Sequence, residues 1–396
     1  MNAFLKSNKN KDCCGCSACV AACPKNCIEM KKDAEGFAYP YFVNIEMCIN
    51  CKVCTDVCPM ETKTTPPENI YAYAGYSNNA NVISQTSSGG IFPVIAKKIL
   101  SNGGVIYGAA FDDKHILSHI RVDSERDLVL LYGSKYIQSN TNGIFEKCKK
   151  DLEQNLTVLF TGTPCQVYAL KKYLKTDYDK LFTVDVICHG VPSQHMFDSY
   201  VAFLERKHNA KLIDINFRDK TKNGWSITLR YTMQYKNGKT KNYFLISPLS
   251  EYFAGFLGGY ILRESCYRCP FSSLERPADI TLGDFWGYQK TRPELKHNEG
   301  LSVLTANSDK GKRMVESLYD ADTFITEVSR ASLEKSENKN LFAPTQRRPE
   351  RDVIYSELES QGFEYIAKTY LQKGHTLKNK IKNLIPKKLI DIIKIR

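Results

Sequence analysis

The sequence predicts an α/β protein, α+β overall, in which a small cysteine-rich domain precedes a larger mixed α/β body. Three observations carry this. Two four-cysteine runs, each closed by a proline, lie between Cys13 and Pro59. From Ile91 to His208, strand-like and helix-like segments alternate, the pattern of a parallel or mixed sheet with covering helices. Residues 211–247 instead hold short alternating segments around Lys236-Asn237-Gly238, a hairpin signature.

The cysteine runs come first in the chain. They read Cys13-x2-Cys16-x2-Cys19-x3-Cys23-Pro24 and Cys48-x2-Cys51-x2-Cys54-x3-Cys58-Pro59, each cysteine recurring at an offset of 35 residues. This resembles the bacterial ferredoxin pattern, in which the fourth cysteine of each run ligates the other 4Fe–4S cluster. On that pattern Cys13, Cys16, Cys19 and Cys58 hold one cluster, and Cys48, Cys51, Cys54 and Cys23 hold its twin. Residues 1–65 are then a 2x(4Fe-4S) ferredoxin domain, too short to bury a large core without its clusters. Structural zinc favours paired C-x2-C knuckles over four-cysteine runs. Disulfides belong to oxidising compartments.

The chain has 396 residues and 15 cysteines. Its polar Met1–Lys11 start lacks the apolar core of a signal peptide, and no stretch approaches the roughly 20 apolar residues that cross a bilayer. Cytoplasmic location is the expectation. The net charge of +12 is uneven: residues 371–396 hold eight Lys or Arg against one acid, Asp391. A terminal basic block without an aromatic platform argues against nucleic-acid binding. It reads as a basic amphipathic tail, with Ile385, Leu389, Ile392 and Ile393 on one face and Lys387, Asp391 and Lys394 opposite. Such a tail either lies on the inner face of an anionic membrane or docks on its own domain or a partner protein.

The linker Thr62–Glu68, with paired prolines, ends the first module. A second unit begins near Ile70. Ser84–Gly90 feeds a helix over Ile91–Leu100, and an Asn102-Gly103-Gly104 turn leads to a strand over Val105–Phe111. Strand Thr157–Phe160 precedes helix Cys165–Leu174, and strand Leu181–Ile187 precedes helix Met196–His208. Strands follow at Leu212–Phe217, Trp225–Gln234, Lys241–Ile246, Ile280–Leu282 and Leu301–Ala306, and Glu334–Arg351 is irregular. Two cysteines, Cys165 and Cys188, stand just past predicted strands, where open α/β sheets build their sites. With Cys266-x2-Cys269 they make four thiolates, the number a cubane needs. The pair alone also suits zinc or a redox dithiol, and Cys165 and Cys188 also suit plain packing. Cys14, Cys27 and Cys148 match no ligand spacing and read as packing residues.

The chain after the first module resembles the family of coenzyme F-420 hydrogenase/dehydrogenase beta subunits. Ser88-Gly-Gly-Ile91, Gly133-Ser-Lys-Tyr-Ile-Gln-Ser139, Thr163-Pro-Cys-Gln166, Cys188-His-Gly-Val-Pro-Ser193, Cys266-x2-Cys269-Pro270 and Ala278-Asp-Ile-Thr-Leu-Gly-Asp-Phe-Trp-Gly287 carry the likeness in this order. It assigns residues 70–150 to the family's N-terminal part and 151–345 to its C-terminal part. The resemblance implies FAD and a third 4Fe–4S cluster, with Cys165, Cys188, Cys266 and Cys269 as its ligands.

For the flavin, Ser87, Ser88, Gly89 and Gly90 offer backbone donors at a helix start, suited to a pyrophosphate, though such a stretch is also an ordinary helix cap. Lys135 and Tyr136 offer a cation and a hydroxyl, and Thr163 and Gln166 flank Cys165. No GxGxxG fingerprint points to NAD(P)H. His189, beside Cys188, is the candidate proton carrier, against the commoner role of bonding backbone. Asp284 and Trp286 read as site-lining. The expected function is an iron–sulfur flavoprotein oxidoreductase. It would pass electrons from ferredoxin or another redox protein through its clusters to FAD and on to a small organic acceptor, coenzyme F-420 or another. A non-catalytic electron-transfer subunit and a membrane-associated biosynthetic reductase are the alternatives.

Overall fold

The computed structural model describes residues 1–61, 70–295, 297–319 and 322–385. The Thr62–Glu68 linker lies outside the described residues, as do Lys387, Leu389, Asp391, Ile392, Ile393 and Lys394 of the tail.

In the N-terminal module, strands β1 (Ile28–Lys32) and β2 (Ala38–Phe42) pair antiparallel between two cysteine loops. The sequence repeat is a conformational repeat as well. Gly15 and Asn50 are left-handed (φ 72° and 54°), and so are Ser17 and Lys52 (φ 62° and 61°). Each pair stands at the same offset as the cysteines. These left-handed steps coil each loop back on itself, so that neighbouring cysteines of one run face a common centre. Short helices Ala18–Ala21 and Val53–Asp56 follow in register.

The body is built on an eight-stranded mixed sheet. Its strands are β3 (Tyr71–Ser77), β4 (Val105–Phe111), β5 (Leu117–Val122), β6 (Val158–Gly162), β7 (Leu181–Val186), then β11 (Ile280–Asp284), β12 (Ser302–Ala306) and β13 (Thr323–Val328), ordered β13-β3-β12-β11-β7-β6-β4-β5. The central four, β4-β6-β7-β11, run parallel, and antiparallel strands close both edges. Between β7 and β11 the chain adds a second sheet of β8 (Lys211–Asn216), β9 (Thr228–Gln234) and β10 (Thr240–Ile246), ordered β10-β9-β8. Residues from 70–150 and 151–345 interleave in the large sheet, since β3 lies between β12 and β13.

Alternation along β4 and β6 sends Ile106 and Leu159 to one face, where the Ile91–Ser101 and Asp309–Glu316 helices supply Ile95, Ile99, Met314 and Val315. Tyr107 and Phe160 go to the other face, against Phe145, Leu152, Val167 and Leu170 of the Ile144–Glu153 and Pro164–Leu174 helices. The expected helices and strands at 91–100, 105–111, 165–174 and 181–187 stand within two residues of their places. The strand expected from Trp225 begins at Thr228, because Arg218–Ile227 is drawn inward as a buried loop.

The N-terminal module is not a separate bead. Phe4, Phe37 and Tyr39 join a core with Phe197, Tyr200, Tyr252 and Tyr355 of the body. Fully buried Arg263 donates to Cys13 O (2.8 Å), Ala38 O (2.9 Å) and Gln138 Oε1 (3.1 Å). Gln138 donates to Cys14 O (2.8 Å) and Thr141 to Cys16 O (3.0 Å). Arg351, also buried, grips both carboxylate oxygens of Glu35 at 2.8 and 2.5 Å. Removing one partner of a buried ion pair strands the other charge and costs about 3 kcal/mol. Arg351→Ala is therefore expected to lower unfolding stability by about that amount. Urea denaturation followed by circular dichroism measures it, and a change within error would mean the pair is mere surface trim.

Candidate iron–sulfur and cofactor site

Strand carboxyl ends of the parallel core meet at one rim, and the sheet order places β6 and β7 side by side there. After β6, Thr163 caps the Pro164–Leu174 helix: Gln166 Oε1 accepts from Thr163 N at 3.0 Å, and Thr163 Oγ1 lies 3.2 Å from Cys165 Sγ. This cap fixes Cys165 in the first turn of the helix. Cys188 follows the end of β7. Cys266 and Cys269 come from a turn beginning at Glu264.

The four thiols gather. Burial, followed by the neighbouring Cys165 and Cys269, pushes Cys188 up to about 12. Burial, then Cys188, Cys269 and Cys165, raises Cys266 well above the ordinary thiol value, and burial with Cys165 raises Cys269. Burial, with Cys13, Cys58 and Cys54 nearby, raises Cys19, and burial with Cys13 adjacent lifts Cys58 to about 11. A cavity of about 240 Å³ is lined by Cys23, Cys48, Cys51 and Cys54, the second set the spacing pattern assigned.

Among the described residues, no three His, Cys, Asp or Glu side chains converge as a single metal ion requires. A four-iron cage spreads its ligands more widely. Buried thiols whose neighbours are further thiols resist ionising, and such a donor set fits soft iron–sulfur ligation.

Cys14, expected only to pack, does more. Its thiol lies close to both Cys16 and Cys165, and contact with Cys16 together with burial raises its pKa well above the ordinary thiol value. Cys27 packs behind the second set and Cys148 lies in the body core.

Beside the third set opens a cavity of about 930 Å³, near the top of the range of small-molecule sites, about 300–1,000 Å³. Ser87, Ser88, Gly90, Lys135, Tyr136, Thr163, Gln166, Cys188 and His189 all line it. Gly89 does not. Its N–H donates to Ser302 Oγ at 3.0 Å, and a Cβ there would meet Gly75 O at 2.5 Å. Gly89 is a glycine so that the helix start can press against β3 and β12. Thr163 and Gln166 spend polar atoms on the Cys165 turn, and Ser139 and His119 hold Gln166 in place. His189 sets Nε2 3.1 Å from Phe256 O and Nδ1 3.1 Å from Asn340 Oδ1, and burial lowers its pKa. Both ring nitrogens hold partners, which suits a positioning role.

Lys135 donates to Tyr132 O (2.8 Å) and Gly133 O (3.3 Å), and burial lowers its pKa to about 7. Arg218, which sequence reasoning missed, sits at the centre of the wall. It holds Asp284 through both guanidinium nitrogens (2.7 and 3.1 Å) and donates to Tyr136 Oη and Ser87 O, each at 3.1 Å. Asp284 also accepts from Trp225 Nε1 at 2.7 Å. Trp225 stacks on Trp286 at 4.3 Å between ring centroids. The signal for Arg218 was the charged Arg218-Asp219-Lys220 directly after an apolar strand, yet no ligand motif surrounds it.

Residues 12–62 match the 4Fe-4S dicluster domain, and residues 156–330 match the family described as the C terminus of the coenzyme F420 hydrogenase/dehydrogenase beta subunit. The class is thus an iron–sulfur electron-transfer protein. Within it, the chain is related to the F-420 hydrogenase and dehydrogenase beta subunits, with an N-terminal dicluster domain. It is 22% identical over 298 residues to the F subunit of the F(420)H(2) dehydrogenase of Methanosarcina mazei, covering 72% of this chain and 80% of that protein. An uncharacterised protein of Methanocaldococcus jannaschii is 27% identical over 224 residues, covering 45% of this chain and 59% of that one. An uncharacterised ferredoxin of the same organism is 43% identical over 47 residues, 12% of this chain and 58% of that one. The solved F-420-reducing NiFe hydrogenase complex of Methanosarcina barkeri includes a chain with a TM-score of 0.45 and 15% identity, covering 79% of this chain and 93% of that one.

The chain's two tryptophans are Trp225 and Trp286, so its tryptophan emission arises entirely at the cavity wall. Asp284→Ala removes the indole acceptor and the Arg218 counter-ion together. The expected outcome is a shifted emission maximum and a lower unfolding midpoint. An unchanged spectrum would place the pair outside the wall.

Proposed function

We propose that this chain is an iron–sulfur flavoprotein oxidoreductase that takes single electrons from a small redox protein and delivers them in pairs to an organic acceptor. The observation that carries the reading is the third thiol set, which stands between the N-terminal module and the large cavity. Cys165, Cys188, Cys266 and Cys269 would hold a third 4Fe–4S cluster there, and the cavity would hold FAD. Cubanes pass one electron at a time, and flavin collects singles and releases pairs.

The chain's own residues divide the work. The second set is the most open, with Cys51 exposed, and suits a docking redox protein. Cys16 of the first set and Cys165 of the third both neighbour Cys14. In the cavity, Ser87, Ser88, Gly90, Lys135 and Tyr136 would meet the flavin's phosphates and ribose. Arg218, held by Asp284, would fix that wall, and the stacked tryptophans would offer a flat platform for an acceptor ring. Coenzyme F-420 is one such acceptor. The relative named as part of a dehydrogenase favours a second reading, in which the acceptor chemistry lies on a partner chain. The size of this chain's own cavity speaks for the first.

Three cubanes predict about twelve irons and twelve acid-labile sulfides per chain after anaerobic purification. Cys266→Ser should remove about four irons and leave the two N-terminal clusters' spectra in place. Eight irons in the unaltered protein would end the third-cluster assignment.

Lys135 predicts a pH dependence. With its pKa lowered to about 7 by burial, it is mostly neutral above that pH in the flavin-free protein. An incoming phosphate favours the protonated form, so binding takes up a proton. FAD affinity should then fall as pH rises above about 7, by up to about tenfold per unit. In Lys135→Met this slope should vanish. Titration of flavin-free protein with FAD between neutral pH and pH 9 reads it, and a flat profile in the parent protein would remove Lys135 from the phosphate site.

A further inference from the structure

The Leu377–Leu384 helix is turned the unusual way round. It begins at Thr376, whose hydroxyl accepts from Asn379 N at 3.3 Å. Its polar edge faces the protein. Asn383 Oδ1 accepts from Ile246 N and Asn383 Nδ2 donates to Phe244 O, both at 2.9 Å, while Lys222 Nζ donates to Asn383 O. Asn379 Nδ2 donates to Gly374 O at 2.8 Å. The apolar positions face water instead: Leu377 is 73% exposed, Ile381 49% and Leu384 75%. At spacings of four and three residues these three form one stripe. A helix packed on its own domain for stability buries its leucines and leaves its asparagines outside.

Charge narrows what covers the stripe. Lys378 and Lys380 flank it within the helix, Lys382 turns toward the cavity, and residues 371–390 contain no Asp or Glu. An apolar stripe flanked by lysines and free of acids matches an anionic bilayer surface, where the stripe enters the headgroup boundary and the lysines meet phosphates. No helix among the described residues is long and apolar enough to cross a membrane. Its position gives the contact meaning. Lys382 lines the large cavity, as do Ile246, Ser247 and Pro248 beside the strand end that Asn383 pins.

We propose that the Leu377–Leu384 helix seats the protein on an anionic lipid bilayer and sets the rim of the large cavity at headgroup level. This deepens the oxidoreductase reading by assigning the acceptor to amphiphiles whose reacting group is displayed at the membrane surface. The docking itself does not depend on that reading.

Full-length protein is incubated anaerobically with phosphatidylcholine vesicles, with or without phosphatidylglycerol, and sedimented. Binding should require phosphatidylglycerol and weaken with salt. Leu377→Glu combined with Leu384→Glu should reduce binding about tenfold or more. Iron content should stay unchanged, since both side chains are exposed. Three outcomes overturn the proposal: no binding by the unaltered protein, equal binding by the double variant, or an unaltered protein that ignores vesicles while the substitution splits a dimer in sedimentation equilibrium. The oxidoreductase reading fails separately, on the iron and flavin content.

Discussion

A single guanidinium, fully buried, governs the joint on which the molecule is built. Arg263 reaches the carbonyl of Cys13, the carbonyl of Ala38 and the amide of Gln138, and lies over the ring of Tyr39 at 4.2 Å. Three residues later Cys266 opens the C-x2-C turn. Burial opposes the arginine's charge, and Cys13, Tyr39, Cys14 and Cys266 offset that opposition. The match is mutual. A buried cation is tolerable only beside negative charge, and thiolates crowded in a low dielectric are tolerable only beside positive charge or metal. Arg263 therefore ties the N-terminal module to the C-x2-C turn through one shared set of buried contacts.

The second constraint is the geometry of parallel strands. With β4, β6, β7 and β11 aligned, their carboxyl ends deliver Gly162, Val186 and Asp284 to a common rim. The backbone leaves the sheet there, so functional side chains need no distortion of the ladder. The small sheet inserted after β7 closes the opposite wall. From it come Arg218 and Trp225, which meet Asp284 and Trp286 from the end of β11. Neither sheet alone makes the site. Arg218 is tolerable at its depth because Asp284 answers it with two oxygens, and the Trp286 ring lies 5.2 Å from its guanidinium.

What was legible in the chain follows from locality. The eight N-terminal cysteines, Cys165 after a strand, and the helices at 91 and 164 depend on spacing, capping and period, all written within a few residues. The gathering of Cys165, Cys188, Cys266 and Cys269 was legible only as a possibility, because it depends on β6 and β7 being neighbours. Arg218 and the place of Cys14 beside Cys165 were not legible. Each draws its meaning from residues more than 60 positions away: Asp284 for Arg218, Cys165 for Cys14. Gly89 needs the same distant information. A glycine at a helix start serves a ligand or a close approach of backbone, and only the position of Gly75 and Ser302 decides between them.

The two sides of the rim are not equivalent, and the difference follows from what each wall is made of. On the module side, aromatic core, Arg263 and the carbonyls of Cys13, Cys14 and Cys16 close the space between thiol sets, leaving little room for a substrate. On the small-sheet side, the wall is a loop, a strand end and the polar edge of the Leu377–Leu384 helix, with Lys382 at the margin. Electron transfer tolerates a packed medium and needs no opening, whereas an organic molecule needs a mouth. Cys188 alone of the third thiol set lines the cavity, so the set meets it at one corner. Lys135 stands in the cavity wall with carbonyl oxygens as its hydrogen-bond partners. Among the described residues no carboxylate pairs with it, so an anionic ligand would favour its protonated form.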